Sequence, residues 1–309
     1  MKKPRISVVC SVFNGASYLH HSLQSLSMQS ETNFEILIID DGSTDRTPEI
    51  LAQAQSEDKR FRVVTQKNKG LTAALINGCD LAMGHYIARH DLDDISSRER
   101  LTKQAEFLDL HSEVSFVSCG AQGIGPKSEF LFEVGGEPTI KTATKSLISG
   151  DKGPNGHGSV MFRRESYETA GGYRKEFYFA QDWDLWLRLV KVGAFAFVPE
   201  TLYQYRIQCG SVSGRYRHVQ QELVAIAKLL YKTEPRSHET QELLHKAYNL
   251  RPGSSNPISP NFAAGAYFIG CCLLKQRNRD ASSYFLRAIL ACPTYLRAYA
   301  GIVRSYLIR

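Results

Sequence analysis

The chain has no long hydrophobic run. Its longest apolar stretch, residues 262–274, is interrupted by glycines and falls short of the roughly 20 residues that cross a bilayer, so no membrane span is expected. Nor does a charged-then-apolar leader open the sequence: MKKPRISVVC runs directly into a strand pattern, and a cytoplasmic location is expected. The seven cysteines (10, 79, 119, 209, 271, 272 and 292) show no metal-ligand spacing and mostly sit in apolar runs, as reduced buried thiols do. No recognised nucleic-acid module or stacking motif accompanies the basic residues, so no nucleic-acid partner is expected. What remains is an ordinary globular composition, 309 residues with 43% hydrophobic, enough for one large or two modest domains.

What is present is a pair of acidic turns. ARHDLDD, residues 88–94, sets Asp91, Asp93 and Asp94 at the end of a short apolar strand expected over 86–88. Like charges crowded in this way call for a cation. Asp91 and Asp93 emerge with one residue between them and face the same way. Their hard oxygens suit Mg²⁺ or Mn²⁺, ions usually held by one or two carboxylates together with the phosphates of a substrate, which predicts a nucleotide-diphosphate site. The competing reading of this cluster is a helix N-cap with acidic first-turn residues, ahead of a helix starting near Ser97. Upstream, the apolar run FEILII over 34–39 suits a central parallel strand and ends in DDGSTD, residues 40–45. Gly42 permits a tight turn, and Ser43, Thr44 or Asp45 suits a helix cap. Capping leaves unexplained two adjacent carboxylates, Asp40 and Asp41, at a strand end where ligands of open α/β sheets bind.

Strand patterns at 6–13, 34–39, 61–65 and 86–88 alternate with helical patterns at 17–28, 44–55 and 71–83. This is a βαβ series with a parallel sheet. Beyond Asp94 a polar helix is expected near 97–110, a strand near 114–118, and a Gly-rich irregular region over 120–136 with mobile loops.

These motifs, taken in order, resemble the family 2 glycosyltransferases, inverting enzymes of the GT-A fold that use nucleotide sugars. The resemblance runs through ISVVCSVFNGASYL, FEILIIDDGSTDRT and NKGLTAALINGCDLAMGHYIARHDLDD, then HGSVMFRR, AGGYRKEF, QDWDLWLRL and YRIQCGSVS, and covers roughly the first two thirds of the chain. It implies a GT-A, Rossmann-like catalytic domain over 1–215, with a nucleotide-binding half at 1–95 and an acceptor half at 96–215. A helical region follows over 216–309. It also implies transfer of a sugar, by family habit from a UDP-sugar, to a glycan or lipid-linked hydroxyl in surface polysaccharide biosynthesis. Asp40, Asp41, Asn68, Lys69 and Asp91 would serve the nucleotide, and Asp93 with Asp91 the metal. Asp182 would be the base that deprotonates the acceptor, since QDWDLWLRL keeps the second acid of the family's pair but carries Gln181 in place of the first. Asp184 is an unlikely substitute, two residues on and on another side of the helix. Trp186 would support the site, and His157 matches a family histidine near the acceptor. Arg206 and Ser211 or Ser213 are candidate phosphate contacts, while Gln208 occupies the place of a family histidine, which weakens metal ligation from that segment. Two other classes compete: a nucleotidyltransferase, whose Lys/Arg-containing phosphate loop is missing from VFNGASYL, and a non-catalytic scaffold, favoured by Gln181 and Gln208.

The end of the chain has its own character. Its patterns are helical at 220–231, 241–250, 262–274, 281–292 and 295–307, with a turn-rich linker at 251–260. Ala281, Phe285, Ala288 and Pro293 fall at the spacings of a tetratricopeptide repeat's second helix and closing proline, so this hairpin resembles one such repeat. From Ser211 onward there are 14 Lys and Arg against 5 Asp and Glu, a net of +9, leaving 24 against 26 for the rest. A basic helical face of this kind suits peripheral docking on anionic headgroups at the inner face of a membrane, or a solvated surface.

Overall fold

A computed structural model describes residues 3–210, 216–251 and 258–307. Ser211, Ser213 and most of the 251–260 linker lie outside the described residues. The chain groups into two compact units, one made of residues 1–121, 134–205 and 223–250, the other of residues 122–133, 206–222 and 251–309.

The first unit is built on a mixed sheet. Strands β1 (Ile6–Val12), β2 (Phe34–Asp40), β3 (Phe61–Thr65) and β4 (Tyr86–Arg89) are parallel in the order β3-β2-β1-β4. They are joined by helices α1 (Leu19–Ser27), α2 (Thr47–Glu57) and α3 (Leu71–Leu81). The sheet continues through β8 (Met161–Arg163), antiparallel to β4, then β6 (Val114–Ile124), β9 (Ala194–Arg206) and the short β5 (Ile95–Ser96); β7 (Phe130–Val134) pairs with β6, and residues 122–133 of that hairpin are grouped with the second unit. Helices α4 (Arg100–Leu110), α5 (Ile140–Ser149), α6 (Arg164–Thr169) and α7 (Gln181–Leu189) fall between these strands.

Every residue of β2 is buried, as expected of a strand covered on both faces. Side chains alternate across the sheet with a period of two. Val8 and Cys10 join a core with Leu23, Leu51, Leu101 and Leu108, while Val9 joins a second core with Leu75, Phe116, Leu147, Trp186 and Phe195. The parallel register sets Val12 beside Asp40 and Val9 beside Arg89. The two acidic turns therefore leave the carboxyl ends of β2 and β4, which flank β1 and stand about 10 Å apart at the usual interstrand spacing.

Two expectations fail here. Residues 120–136 are not an irregular region: β6 runs on to Ile124 and returns as β7 through a turn in which Gly125 N donates to Glu129 O (2.7 Å). Glycine in this stretch makes room for an aromatic. A Cβ on Gly123 would stand 2.7 Å from the Phe132 ring, so the residue type that suggested a loop is a close cross-strand approach. Nor do Asp91, Asp93 and Asp94 cap a helix. Helix α4 starts only at Arg100 and has no acid in its first turn, because β5 first pairs with β9.

Among the described residues, four helices follow the one that leads out of β9: α8 (Arg217–Lys232) is succeeded by α9 (His238–Asn249), α10 (Ile258–Lys275), α11 (Ala281–Ala291) and α12 (Leu296–Leu307). The second unit has its own core, in which Ala281, Phe285 and Ala288 of α11 are buried as the repeat-like spacing predicts. The Phe285 ring lies between Gly270 and Gly301, at each of which a Cβ would come within 3 Å of it. Phe285→Ala is expected to cost about 3–5 kcal/mol, read as a loss of the unfolding free energy in urea. A cost under about 1 kcal/mol would show that this ring does not hold the unit together.

Candidate active site

The turn after β2 is held from three directions. Asp41 N donates to Val12 O (2.8 Å), and the Asp41 carboxylate accepts from Gln66 Nε2 (2.7 Å), Lys69 N (2.9 Å) and Gly70 N (2.8 Å). Asp40 Oδ1 accepts from Ser43 N (3.0 Å). Gly42 has φ +80° and presses on the 66–70 loop, where a Cβ would stand 3.0 Å from Asn68 N, so only glycine suits this position. The side chains of Asn68 and Lys69 are exposed. The sequence reading missed Asn14, whose Oδ1 accepts from Thr44 N (2.8 Å) and joins the loop after β1 to the same turn. Asp45, one of the expected caps, satisfies a first-turn amide of α2 by accepting from Thr47 N (2.9 Å).

Beneath the turn after β4 lies a buried cationic network. Arg89 is fully buried. Its Nη1 donates to Val9 O and His90 O, and its Nη2 to Asp91 Oδ1 (2.5 Å), while its Nε finds no partner among the described residues. Arg100, also fully buried, donates to Arg89 O (2.6 Å) and Ser96 Oγ (2.9 Å), with its guanidinium 4.7 Å from the Tyr203 ring centroid. Tyr203 Oη donates to Asp94 (2.7 Å). His90 bridges Ser22 Oγ and Ser96 Oγ, and burial together with Arg100 pushes its pKa well below the ordinary value, so it is neutral. Burial alone would raise the Asp91 carboxyl, but the charge of Arg89 overrides it and holds the group below the usual carboxylate range. Part of the neutralisation that the acid cluster demands is thus built in. Arg89, His90 and Arg100 escaped the sequence reading because charged side chains are taken as exposed by default.

The third component comes from far along the chain. A one-turn 3₁₀ helix, His157–Ser159, lies against the Asp91 turn, where a Cβ on Gly158 would stand 3.1 Å from Asp91 N. His157 Nε2 pairs with Tyr173 Oη (2.6 Å), and burial, with Arg89, drives the His157 pKa down to about 3. It is therefore a neutral, oriented imidazole whose ring meets that of the buried Trp186 edge-on. Asp182 lies in the first turn of α7, half-buried, accepting from Trp183 N (2.9 Å). Its carboxyl is pushed up to about 6, by burial first and by the negative charge of Asp91 in addition, while Arg89 acts in the opposite sense. Asp184 is almost wholly buried and accepts from Arg174 (3.3 Å) and Arg188 (2.5 Å), so it holds α7 in place. Gln181 is buried at the start of that helix.

Asp40, Asp41, Asn68, Lys69, Asp91, Asp93, His157, Asp182 and Trp186 all belong to the first unit, whereas Arg206 and Gln208 belong to the second. Arg206 is buried, and its Nη1 donates to Gly125 O (2.8 Å), Pro126 O (3.3 Å) and Ser128 Oγ (3.1 Å), which ties down the β6–β7 turn. Among the described residues no group of three or more His, Cys, Asp or Glu is placed to hold a metal by itself. Asp91 and Asp93, both half-buried in the turn after β4, are hard oxygen donors of the kind that hold an ion through one or two carboxylates completed by phosphate oxygens. An open cavity of about 720 Å³ lies elsewhere, lined by Ile140, Thr144, Ile148 and Ala194 among others, and takes in none of the acids of the two turns.

Comparison with known proteins bears on this arrangement. Residues 7–171 match the family described as Glycosyl transferase family 2. The glycosyltransferase EpsE of Bacillus subtilis (strain 168) is 34% identical over 208 residues, covering 66% of this chain and 73% of its own length. TuaG of the same organism, named as a teichuronic acid biosynthesis glycosyltransferase, is 32% identical over 218 residues, covering 69% and 82%. Among solved structures, the mannosyltransferase PcManGT from Pyrobaculum calidifontis in complex with GDP-Man and Mn²⁺ matches with a TM-score of 0.58 at 19% identity, covering 99% of this chain and 87% of that one. At that identity the likeness establishes the GT-A-like α/β fold.

The raised Asp182 pKa has a consequence for stability. Between the ordinary carboxylate range and about pH 6 the folded state holds a proton that the unfolded state has released, so stability falls as pH rises through that window. Asp182→Asn is expected to raise the melting temperature above pH 6 and leave it unchanged near pH 3.5, as read by calorimetric melts at both pH values. Equal melting temperatures at pH 7 would show that the ionised carboxylate costs the fold nothing.

Proposed function

Because the chain belongs to the family 2 glycosyltransferases, we propose that it moves a sugar from a nucleotide-diphosphate donor, with UDP as the carrier, to a hydroxyl of a glycan or lipid-linked acceptor in polysaccharide biosynthesis. The name of TuaG, a teichuronic acid biosynthesis glycosyltransferase, supports the polysaccharide setting, and the GDP-Man of PcManGT supports a nucleotide-sugar donor. Cytoplasmic work, peripheral at the inner membrane face, goes with such a donor. Among the described residues no helix is long and apolar enough to cross a membrane. Residues 1–215 would carry the reaction and 216–309 the appendage.

Inversion requires one displacement. The acceptor oxygen forms its bond to the anomeric carbon on the face opposite the diphosphate, the carbon–oxygen bond to the diphosphate breaks, and the acceptor proton passes to a base. Asp182, half-buried in the first turn of α7, suits that role: with its carboxyl pushed up to about 6 it is ionised at neutral pH yet more basic than an ordinary carboxylate. The observation that carries the reading is that both acidic turns leave the carboxyl ends of β2 and β4 on either side of β1. His157, neutral and paired with Tyr173, would orient the acceptor side. Asp41 and the 66–70 loop would meet the base, with Asp40, Asn68 and Lys69 at the rim. A divalent cation, Mn²⁺ or Mg²⁺, would neutralise charge on the departing diphosphate, held by Asp93 and by Asp91.

Hydrolysis of the nucleotide sugar, with water standing in for the acceptor, tests the base without knowledge of the acceptor. Asp182→Asn is expected to lower that rate by roughly 10² to 10⁴ with donor affinity unchanged in calorimetry, and the wild-type rate to fall as pH drops below about 6. A near-normal rate in Asp182→Asn would assign the base elsewhere. Asp93→Ala is expected to abolish the Mn²⁺-dependent part of nucleoside-diphosphate binding. Unchanged affinity in that variant would remove Asp93 from the metal site.

A further inference from the structure

Helix α12 has two apolar faces. One is inward, where Ala298 and Gly301 are buried and Gly301 receives the Phe285 ring. The other points outward: Leu296, Tyr299, Val303, Tyr306 and Leu307 are all exposed, with Leu296 at 76% and Leu307 at 77%. Their spacing of i, i+3, i+7, i+10 and i+11 places them along one side of the helix. On α11, Leu286 and Leu290 add a second exposed pair one turn apart, Leu290 at 74%. Soluble proteins rarely leave a contiguous apolar stripe of this kind facing water.

Charge identifies what covers it. Beyond Glu242 the sequence carries a single acid, Asp280, against nine Lys and Arg. Arg297 and Arg304 border the α12 stripe and Arg287 stands between Leu286 and Leu290, while Arg277 and Arg279 lie just ahead of α11. Arg277, Arg279, Arg297 and Arg304 are exposed and make no ion pair among the described residues. An apolar stripe that carries tyrosines and is edged by guanidiniums without ion pairs among the described residues fits one environment in both of its layers, acyl chains for the aliphatic groups and anionic headgroups for the arginines and tyrosines. A second copy of the chain would instead bring like charges together at the seam. At 12 residues, about 18 Å, α12 is too short to span a bilayer and suits lying along it.

We propose that α11 and α12 form a docking surface for a bilayer containing anionic lipid, with the Leu296–Leu307 stripe inserted at the headgroup level. This concerns the second unit alone and stands independently of the reaction assigned above. Flotation of the full chain with phosphatidylglycerol/phosphatidylcholine vesicles tests it. Binding is expected at low salt, weaker at physiological ionic strength where the Debye length is about 8 Å, and absent with pure phosphatidylcholine. Arg297→Gln with Arg304→Gln is expected to lower partitioning about twenty-fivefold, each surface arginine contributing roughly fivefold. Leu296→Asn with Val303→Asn is expected to lower it comparably at an unchanged melting temperature, since both side chains are exposed. Lys141→Gln with Lys145→Gln, in the first unit, is expected to change nothing. Indifference of the intact protein to anionic vesicles at low salt, equal binding to neutral vesicles, or insensitivity to both double variants would overturn the proposal. A dimer in light scattering that Val303→Asn dissociates, without vesicle binding, would assign the face to self-association instead.

Discussion

The ion pair between Arg89 and Asp91 is the constraint on which the acid-bearing end of the sheet depends. A guanidinium with no solvent exposure is tolerable where its charge is met and most of its donors are engaged; Arg89 has one carboxylate and the Val9 and His90 carbonyls, with Nε alone lacking a partner among the described residues. The pair therefore does two things at once. It clamps the end of β4 to β1, and it keeps Asp91 ionised in surroundings that by burial alone would protonate it. The same two charges reach Asp182 with opposite signs, Asp91 raising its pKa and Arg89 lowering it. The basicity of the proposed base is thus set in part by an ion pair remote from it in sequence.

Around that pair the fold supplies rigidity. Arg100 fixes the Arg89 and Ser96 segments together and lies against Tyr203, which in turn holds Asp94. His90, kept neutral, fills the space between α1 and β5 through two serine hydroxyls. A carboxylate aimed at a transferring group is useful only if its supports cannot yield, and a buried network in which nearly every donor is satisfied provides that. The turn after β2 is restrained in a different way, by backbone amides of the 66–70 loop converging on Asp41. One acidic turn is thus stiffened by charge and the other by peptide dipoles.

Much of this was legible in the residues, for identifiable reasons. The first four strands could be read because parallel strands covered on both faces are near-continuous apolar runs, and FEILII is one. The acid clusters stood out because carboxylates at strand ends have few structural uses. The hairpin of β6 and β7 was misread since glycine in a strand looks the same on paper whether it loosens a loop or makes room for Phe132. Helix α5 went unnoticed although Thr139 and Thr142 form its capping box. The buried arginines were invisible, because nothing local separates an arginine that pairs inside from one that faces water. Arg206, a candidate phosphate contact on paper, shows the same limit from the other side, since its guanidinium is engaged with the β6–β7 turn, whereas Asp184, set aside as the base, holds helix α7 in place.

The central claim is that Asp91 and Asp182 share one electrostatic site. It is tested most directly by following the Asp182 carboxyl by carbon-13 NMR in the wild-type protein and in Asp91→Asn. The account predicts a wild-type midpoint near 6 that moves clearly downward in the variant, because removing Asp91 deletes a repulsive charge and leaves the attraction of Arg89 unopposed. A midpoint that stays where it was would mean that the two carboxylates do not sense one another, and the site as assembled here would be wrong.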